Sequence, residues 1–129
     1  MYSETVKEYF KNPINMGYME NASSIGIIEN EVCSDIIKIY LKIDKDIIVD
    51  TKFEAKGCPP VIASCCVVTK TIKDMNIEQL EHIDRKFIIK ELDGLPKEKE
   101  HCAELVQKTL YRAIDNYKNK ESEGNNELL

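Results

Sequence analysis

Three features that the sequence lacks limit where the protein acts. Its 129 residues include no apolar stretch long enough for a transmembrane helix, and no charged-then-apolar leader opens it. The net charge is −5 and there is no long basic run, which argues against nucleic acid and against an anionic membrane as partners. The sequence therefore predicts one globular domain in a reducing cytoplasm, where cysteines are free thiols or metal ligands.

Closely spaced Cys-x-x-Cys pairs are also absent, although the chain has five cysteines, two of them adjacent at Cys65 and Cys66. No Cys-x-x-Cys occurs, which excludes zinc-finger and zinc-ribbon patterns. Three cysteines lie instead at the ends of predicted elements, namely Cys33 close to Asp35, Cys58, and Cys102 next to His101. Thiolate, carboxylate and imidazole groups bind soft and borderline metals. We therefore predict an open site of three thiolates, with the aspartate or the histidine as fourth ligand.

The five cysteines are not equivalent. Cys58 and Cys102 precede or open predicted helices, where backbone N–H groups stabilise a thiolate, so we expect a lowered pKa for both thiols. Cys65 and Cys66 lie on the apolar stripe of one helix, and a buried cysteine behaves as a small hydrophobic residue. We therefore assign this pair to the core.

The period of the hydrophobic pattern predicts an α+β fold. Between about Ser24 and Ala55 apolar residues alternate with polar ones, as in Ile37, Ile39, Leu41 and Ile43 and again in Ile47, Val49, Thr51 and Phe53. Short connections favour an antiparallel three-stranded sheet with helices packed on one face. We expect residues 1–119 to form the domain and residues 120–129 to form a polar, flexible tail.

Helix signals flank and follow the strands. Ser3 is the predicted cap of a first helix, and Asp84 is the cap of a later one. A second helix is expected from Pro60 to about Asp74, with the inward stripe Ile62, Cys65, Cys66, Thr69 and Ile72. Asn76 opens a capping box that predicts a further short helix, and the last helix starts near Glu100.

Four stretches resemble the U-type iron–sulfur cluster assembly scaffolds, the family of IscU and of the N-terminal domain of NifU. Residues 9–17 are similar to Tyr-x-Asn-Pro-x-Asn-x-Gly, residues 33–35 to Cys-Gly-Asp, residues 57–64 to Gly-Cys-x-x-x-Ile-Ala-Ser, and residues 95–102 to the third cysteine motif. The resemblance covers the chain from Tyr2 to about Lys118.

The resemblance implies a carrier protein rather than an enzyme. It implies that the chain receives sulfur as persulfide from a cysteine desulfurase, binds iron, builds a labile [2Fe–2S] cluster and passes it to apo-proteins. Cys33, Cys58 and Cys102 would be the cluster thiolates, with Cys102 as the persulfide acceptor. Asp35 would be a metal ligand that keeps the cluster labile, and His101 an alternate ligand. Zinc would occupy the same site in the cluster-free form.

The resemblance also implies partners and additional residues. A monomer or weak dimer is expected, with an Hsp70-type chaperone as partner, although the stretch Leu-Pro-Pro-Val-Lys that such chaperones bind is Leu-Pro-Lys-Glu-Lys here, at residues 95–99. Cys65 and Cys66 replace small residues and are candidates for extra ligands or sulfur acceptors. Lys99, in the third motif, is a possible additional site residue.

Two other functions account for some of the same residues. A zinc-bound sulfur acceptor would activate a cysteine desulfurase without building clusters. A thiol hydrolase would use cysteine and histidine, with aspartate as orienter, but it needs only one nucleophile and would leave three ligand-like cysteines unexplained.

Overall fold

The computed structural model describes residues 1–30 and 34–127, with side chains described as far as residue 120. The elements in chain order are α1 (Glu4–Lys11), β1 (Ser24–Asn30), β2 (Asp35–Asp44), β3 (Ile47–Lys56), α2 (Pro59–Ile72), α3 (Arg85–Glu91) and α4 (Glu100–Glu127). Single 3-10 turns at Ile77–Gln79 and Lys97–Lys99 precede α3 and α4.

Local capping chemistry sets the helix starts. The Ser3 hydroxyl accepts the Val6 N–H at 3.1 Å, and Asp84 caps α3 by accepting the Phe87 N–H at 2.9 Å, both as predicted. Asn76 also accepts the N–H of the residue two positions on, but only a 3-10 turn follows it. The predicted helix at this capping box is therefore wrong in type and length.

The three strands form an antiparallel meander in the order β1-β2-β3. Along β2 the predicted inward residues are all buried, namely Ile37, Ile39, Leu41 and Ile43. Tyr40, predicted to face outward, is buried as well, since its ring packs against that of Tyr18 with centroids 5.6 Å apart. In β3 the prediction is wrong at one point. The register shifts beside Lys42 and Ile43, so Ile48 is buried opposite Ile43 while Val49 is exposed. A β-bulge adds one residue to a strand and reverses which side chains face inward beyond it.

Helices cover one face of this sheet, which confirms the predicted fold class. α4 crosses β1 so closely that a Cβ on Gly26 would overlap the carbonyl oxygen of Thr109. Asn116 of α4 also donates to the Ile25 carbonyl at 2.9 Å. That bond satisfies an outward-facing acceptor on the edge strand, which otherwise could pair with another strand. Only glycine at position 26 permits this approach.

α2 is buried on nearly all sides, so the prediction of a single inward stripe is wrong in extent. Its predicted stripe is buried, but so are Val61, Ala63, Ser64, Val67 and Val68. The reason is tertiary, because α1, α3, α4 and β3 all pack against this helix. A helix that is apolar all round is the expected sequence for such a position.

The backbone of α4 stays helical to Glu127, past the point where the sequence predicts a polar tail. The division of the chain into a domain and a tail stays a prediction. Across the part of the chain that is described, every helix is too short or too polar to cross a membrane.

Candidate metal centre

The site is built where β2 begins and β3 ends. These two strands run antiparallel with Ile36 opposite Lys56, so Asp35 lies beside Gly57. A Cβ on Gly57 would come within 3.2 Å of an Asp35 carboxylate oxygen and of the Val61 side chain. Such a contact is tighter than side chains normally accept, so glycine allows the carboxylate and the start of α2 to approach each other.

Cys58 is the N-cap of α2. Its backbone is extended, with φ −75 and ψ 169, and its carbonyl accepts the N–H of Val61 at 3.0 Å. The thiol itself makes no cap hydrogen bond to the described first turn of the helix. The main chain therefore fixes Cys58 in place, while its half-buried side chain is free to bind something else.

Cys102 brings a second sulfur to the same point from the first turn of α4. Its Sγ lies 3.7 Å from the Sγ of Cys58, although the two residues are 44 positions apart in the sequence. Both are free thiols. The fold thus places two of the three predicted thiolate ligands in direct contact.

Polar groups surround this pair. The Nε2 of His101 lies 3.8 Å from the Sγ of Cys102. Asp35 and Lys99 are close enough to act on the charge of Cys102, the carboxylate raising its pKa and the ammonium lowering it. The carboxylate, imidazole and ammonium groups named from the sequence therefore lie around Cys102 in the structure.

The thiol of Cys102 corrects one expectation from the sequence. Burial and, after it, the neighbouring Cys58 together raise its pKa from the ordinary 9.0 to about 12, whereas a helix N-terminus alone would lower it. Removing a thiolate from water costs more free energy than the helix dipole returns. Cys102 is thus a neutral thiol near pH 7, and a metal cation that bound there would have to displace its proton.

Cys33 lies outside the described residues, so the structure does not test its predicted role. Within residues 1–30 and 34–127, no three or more His, Cys, Asp or Glu side chains are arranged to hold a metal ion. The complete ligand set therefore stays a prediction.

Ser34, which follows Cys33 in the sequence, has φ 58, a left-handed conformation that glycine adopts more easily than serine.

Cys65 and Cys66 lie away from this sulfur pair. Both are fully buried and belong to the hydrophobic core, as the apolar stripe predicted. Burial raises the pKa of Cys65 well above its usual range and that of Cys66 to about 11. The Sγ of Cys66 faces the Tyr9 carbonyl of α1 at 4.0 Å.

A cavity of about 350 Å³ beside Asp35 includes two charged residues that the sequence analysis missed, Glu29 and Lys56. They come from the end of β1 and the end of β3, which flank the start of β2 at this end of the sheet. Strand pairing brings them together, so only an alignment of the three strand ends could have indicated them.

Comparison with known proteins places the chain in a family. The profile of the NifU-like N-terminal domain matches residues 1–124. The iron–sulfur cluster assembly scaffold protein IscU 1 of Archaeoglobus fulgidus is 40% identical over 117 residues, covering 91% of this chain and 76% of the relative. The IscU scaffold protein of Aquifex aeolicus is 36% identical, covering 90% of this chain and 75% of that protein.

A solved structure shares the fold. The N-terminal NifU-like protein of Brucella abortus superimposes with a TM-score of 0.75 at 17% identity, covering 92% of this chain and 94% of that one. At 17% identity this similarity shows only that the two proteins share a fold.

Proposed function

The chain belongs to the family of NifU-like N-terminal domains, and from this premise we propose that it is a scaffold on which iron–sulfur clusters are assembled. Relatives that carry the name of scaffold protein support the proposal over nearly the whole chain. On this proposal the protein is a carrier of iron and sulfur, and the cluster is its cargo.

The observation that carries the proposal is the spacing of two sulfurs. Thiolates bound to one tetrahedral ion at about 2.3 Å lie about 3.8 Å from each other. The Sγ atoms of Cys58 and Cys102 are 3.7 Å apart. Two ligands are therefore already at the separation that a single iron or zinc ion requires, so little reorganisation is needed when the ion binds.

The remaining roles complete the proposed site. Cys33, Cys58 and Cys102 bind the iron of a [2Fe–2S] cluster, and Cys102 accepts persulfide sulfur from a cysteine desulfurase. Asp35 is the weaker ligand, because cluster iron prefers thiolate to carboxylate, and a mixed site releases its cluster to apo-proteins more readily. His101 is an alternate ligand, and zinc fills the site when no cluster is present.

Anaerobic reconstitution tests the proposal. The protein is incubated with ferrous iron, cysteine and a cysteine desulfurase, and we expect a visible absorbance band with matching acid-labile sulfide. Asp35→Ala should lengthen the lifetime of the cluster, because a carboxylate ligand is lost that exchanges with solvent and acceptor thiols. A folded protein that accepts persulfide and retains zinc, yet never develops the band, would favour the zinc-bound sulfur acceptor instead.

A further inference from the structure

The contact between Cys58 and Cys102 also has the geometry from which a disulfide forms. The two Sγ atoms lie 3.7 Å apart, and a disulfide bond is about 2.05 Å long, so the sulfurs have to approach each other by about 1.7 Å for the bond to form. Cys58 is held by its backbone at the start of α2, and its side chain takes no part in capping the described first turn. Both residues are present as free thiols.

We infer that Cys58 discharges the sulfur that Cys102 accepts, releasing it as hydrosulfide while the two cysteines form a disulfide. The inference rests on the proposed function in one respect, namely that Cys102 carries a persulfide. It adds a reaction to that site: reduction of the sulfane sulfur by a thiol of the same chain, at the point where iron is to bind.

The step balances in atoms and electrons. The persulfide is Cys102–S–S⁻; the Cys58 thiol gives its proton to the terminal sulfur, and the Cys58 sulfur attacks the Sγ of Cys102. A bond forms between these two sulfurs as the bond from Cys102 to the terminal sulfur breaks. The terminal sulfur leaves with the electron pair as hydrosulfide, so it gains two electrons, and the two cysteine sulfurs are oxidised to the disulfide.

The positions of the other described cysteines favour Cys58 as the attacking group. Cys65 and Cys66 belong to the core, and the Sγ of Cys66 faces the carbonyl of Tyr9. Cys58 is the described residue whose sulfur touches that of Cys102. Attack on a persulfide requires contact with its inner sulfur, and this contact exists in the fold without rearrangement of α2 or α4.

The reaction has a consequence for the order of events. A disulfide removes both thiolates from the metal site, so sulfide release and cluster binding are successive steps. A dithiol reductant must then reopen the disulfide by exchange before the site binds iron again. One turnover supplies one sulfide and consumes two electrons from that dithiol.

The test uses the full chain, freed of metal and of added thiols, under anaerobic conditions. It is exposed briefly to inorganic polysulfide and desalted, after which free sulfide is measured and the cysteine peptides are identified by mass spectrometry. In the wild type we expect sulfide release together with a Cys58–Cys102 disulfide. In Cys58→Ser we expect release to be lost and one extra sulfur to remain on Cys102. Cys66→Ala, which removes a core thiol, should behave as the wild type.

The outcomes separate the two proposals. A wild type that keeps the extra sulfur on Cys102, with Cys58 still reduced, overturns the inference and leaves sulfur acceptance intact. Undiminished sulfide release from Cys58→Ser overturns the inference as well. If Cys102 carries no extra sulfur even in Cys58→Ser, with circular dichroism showing a native fold, both the acceptor role and the inference are lost. Cys58→Ala repeats the test without the serine hydroxyl.

Discussion

Two pairs of cysteines in this small fold have different surroundings, Cys58 with Cys102 and Cys65 with Cys66. Cys65 and Cys102 both have 0% exposed surface, and burial raises the pKa of both thiols. Their neighbours differ. Both belong to the hydrophobic core, but Cys102 also contacts the sulfur of Cys58 and the imidazole of His101, whereas Cys65 lies mid-helix in α2. Exposure therefore does not distinguish the proposed ligand from the core thiol, and the polar groups around the sulfur do.

The largest expected difference between the pairs is in cluster binding. Cys102→Ser should abolish the iron–sulfur absorbance after reconstitution, because a hydroxyl is a far poorer ligand for cluster iron than a thiolate. Cys65→Ala, matched in burial, should retain it. Absorbance and acid-labile sulfide per chain measure both. Equal loss in the two variants would mean that the core cysteine is also a ligand.

For the free energy of unfolding we expect the opposite order, with the larger loss at the core cysteine than at the site cysteine. Cys65→Ser places a hydroxyl among apolar groups, so we expect the free energy of unfolding to fall by about 1–2 kcal/mol. Cys58→Ser should lose less than about 0.5 kcal/mol, or gain, because serine is a favoured N-cap residue and position 58 is the N-cap of α2. Urea unfolding followed by circular dichroism compares the two. Similar losses would contradict the distinction between core and site.

The pH dependence of stability tests the core pair further. Burial raises the pKa of Cys66 from 9.0 to about 11, with the Ile14 N–H lowering it in part. Because the folded pKa lies above the unfolded one, the stabilisation is complete below pH 9.0 and is lost as the pH rises through about 11. The free energy of unfolding, measured with urea across this pH range, should therefore decline more steeply in the wild type than in Cys66→Ala. Parallel curves would show that the Cys66 thiol ionises no differently in the fold.

A smaller effect is expected at Ser64, which lies beside the core pair in α2. Its buried Oγ has no hydrogen-bond partner among the described residues, so Ser64→Ala should raise the free energy of unfolding by about 1 kcal/mol. Thr69→Val is the control, because the Thr69 hydroxyl donates to the Cys65 carbonyl at 2.8 Å and accepts from Asn15. That variant should be less stable than the wild type. If both variants were more stable than the wild type, the gain would come from removing any buried hydroxyl and not from the unpaired Oγ of Ser64.

Much of the fold was predictable because its signals are local. The caps at Ser3 and Asp84 and the inward residues of β2 depend on residues a few positions apart. The structure confirms both caps and the burial of Ile37, Ile39, Leu41 and Ile43. The bulge near Val49 and the full burial of α2 could not be predicted, since each depends on how a neighbouring strand or helix packs against it. A short periodic pattern reports one face of an element and carries no information about the others.

The candidate site divides in the same way. The sequence by itself determined which residue types are available: dispersed cysteines with aspartate and histidine nearby, and no short metal-binding pair. Only the tertiary structure decided that Cys58 and Cys102 meet at 3.7 Å and that Cys102 is a neutral thiol there. The reason is physical, because the contact requires two helix starts to converge on one sheet end. The protonation state depends on how completely that convergence excludes water.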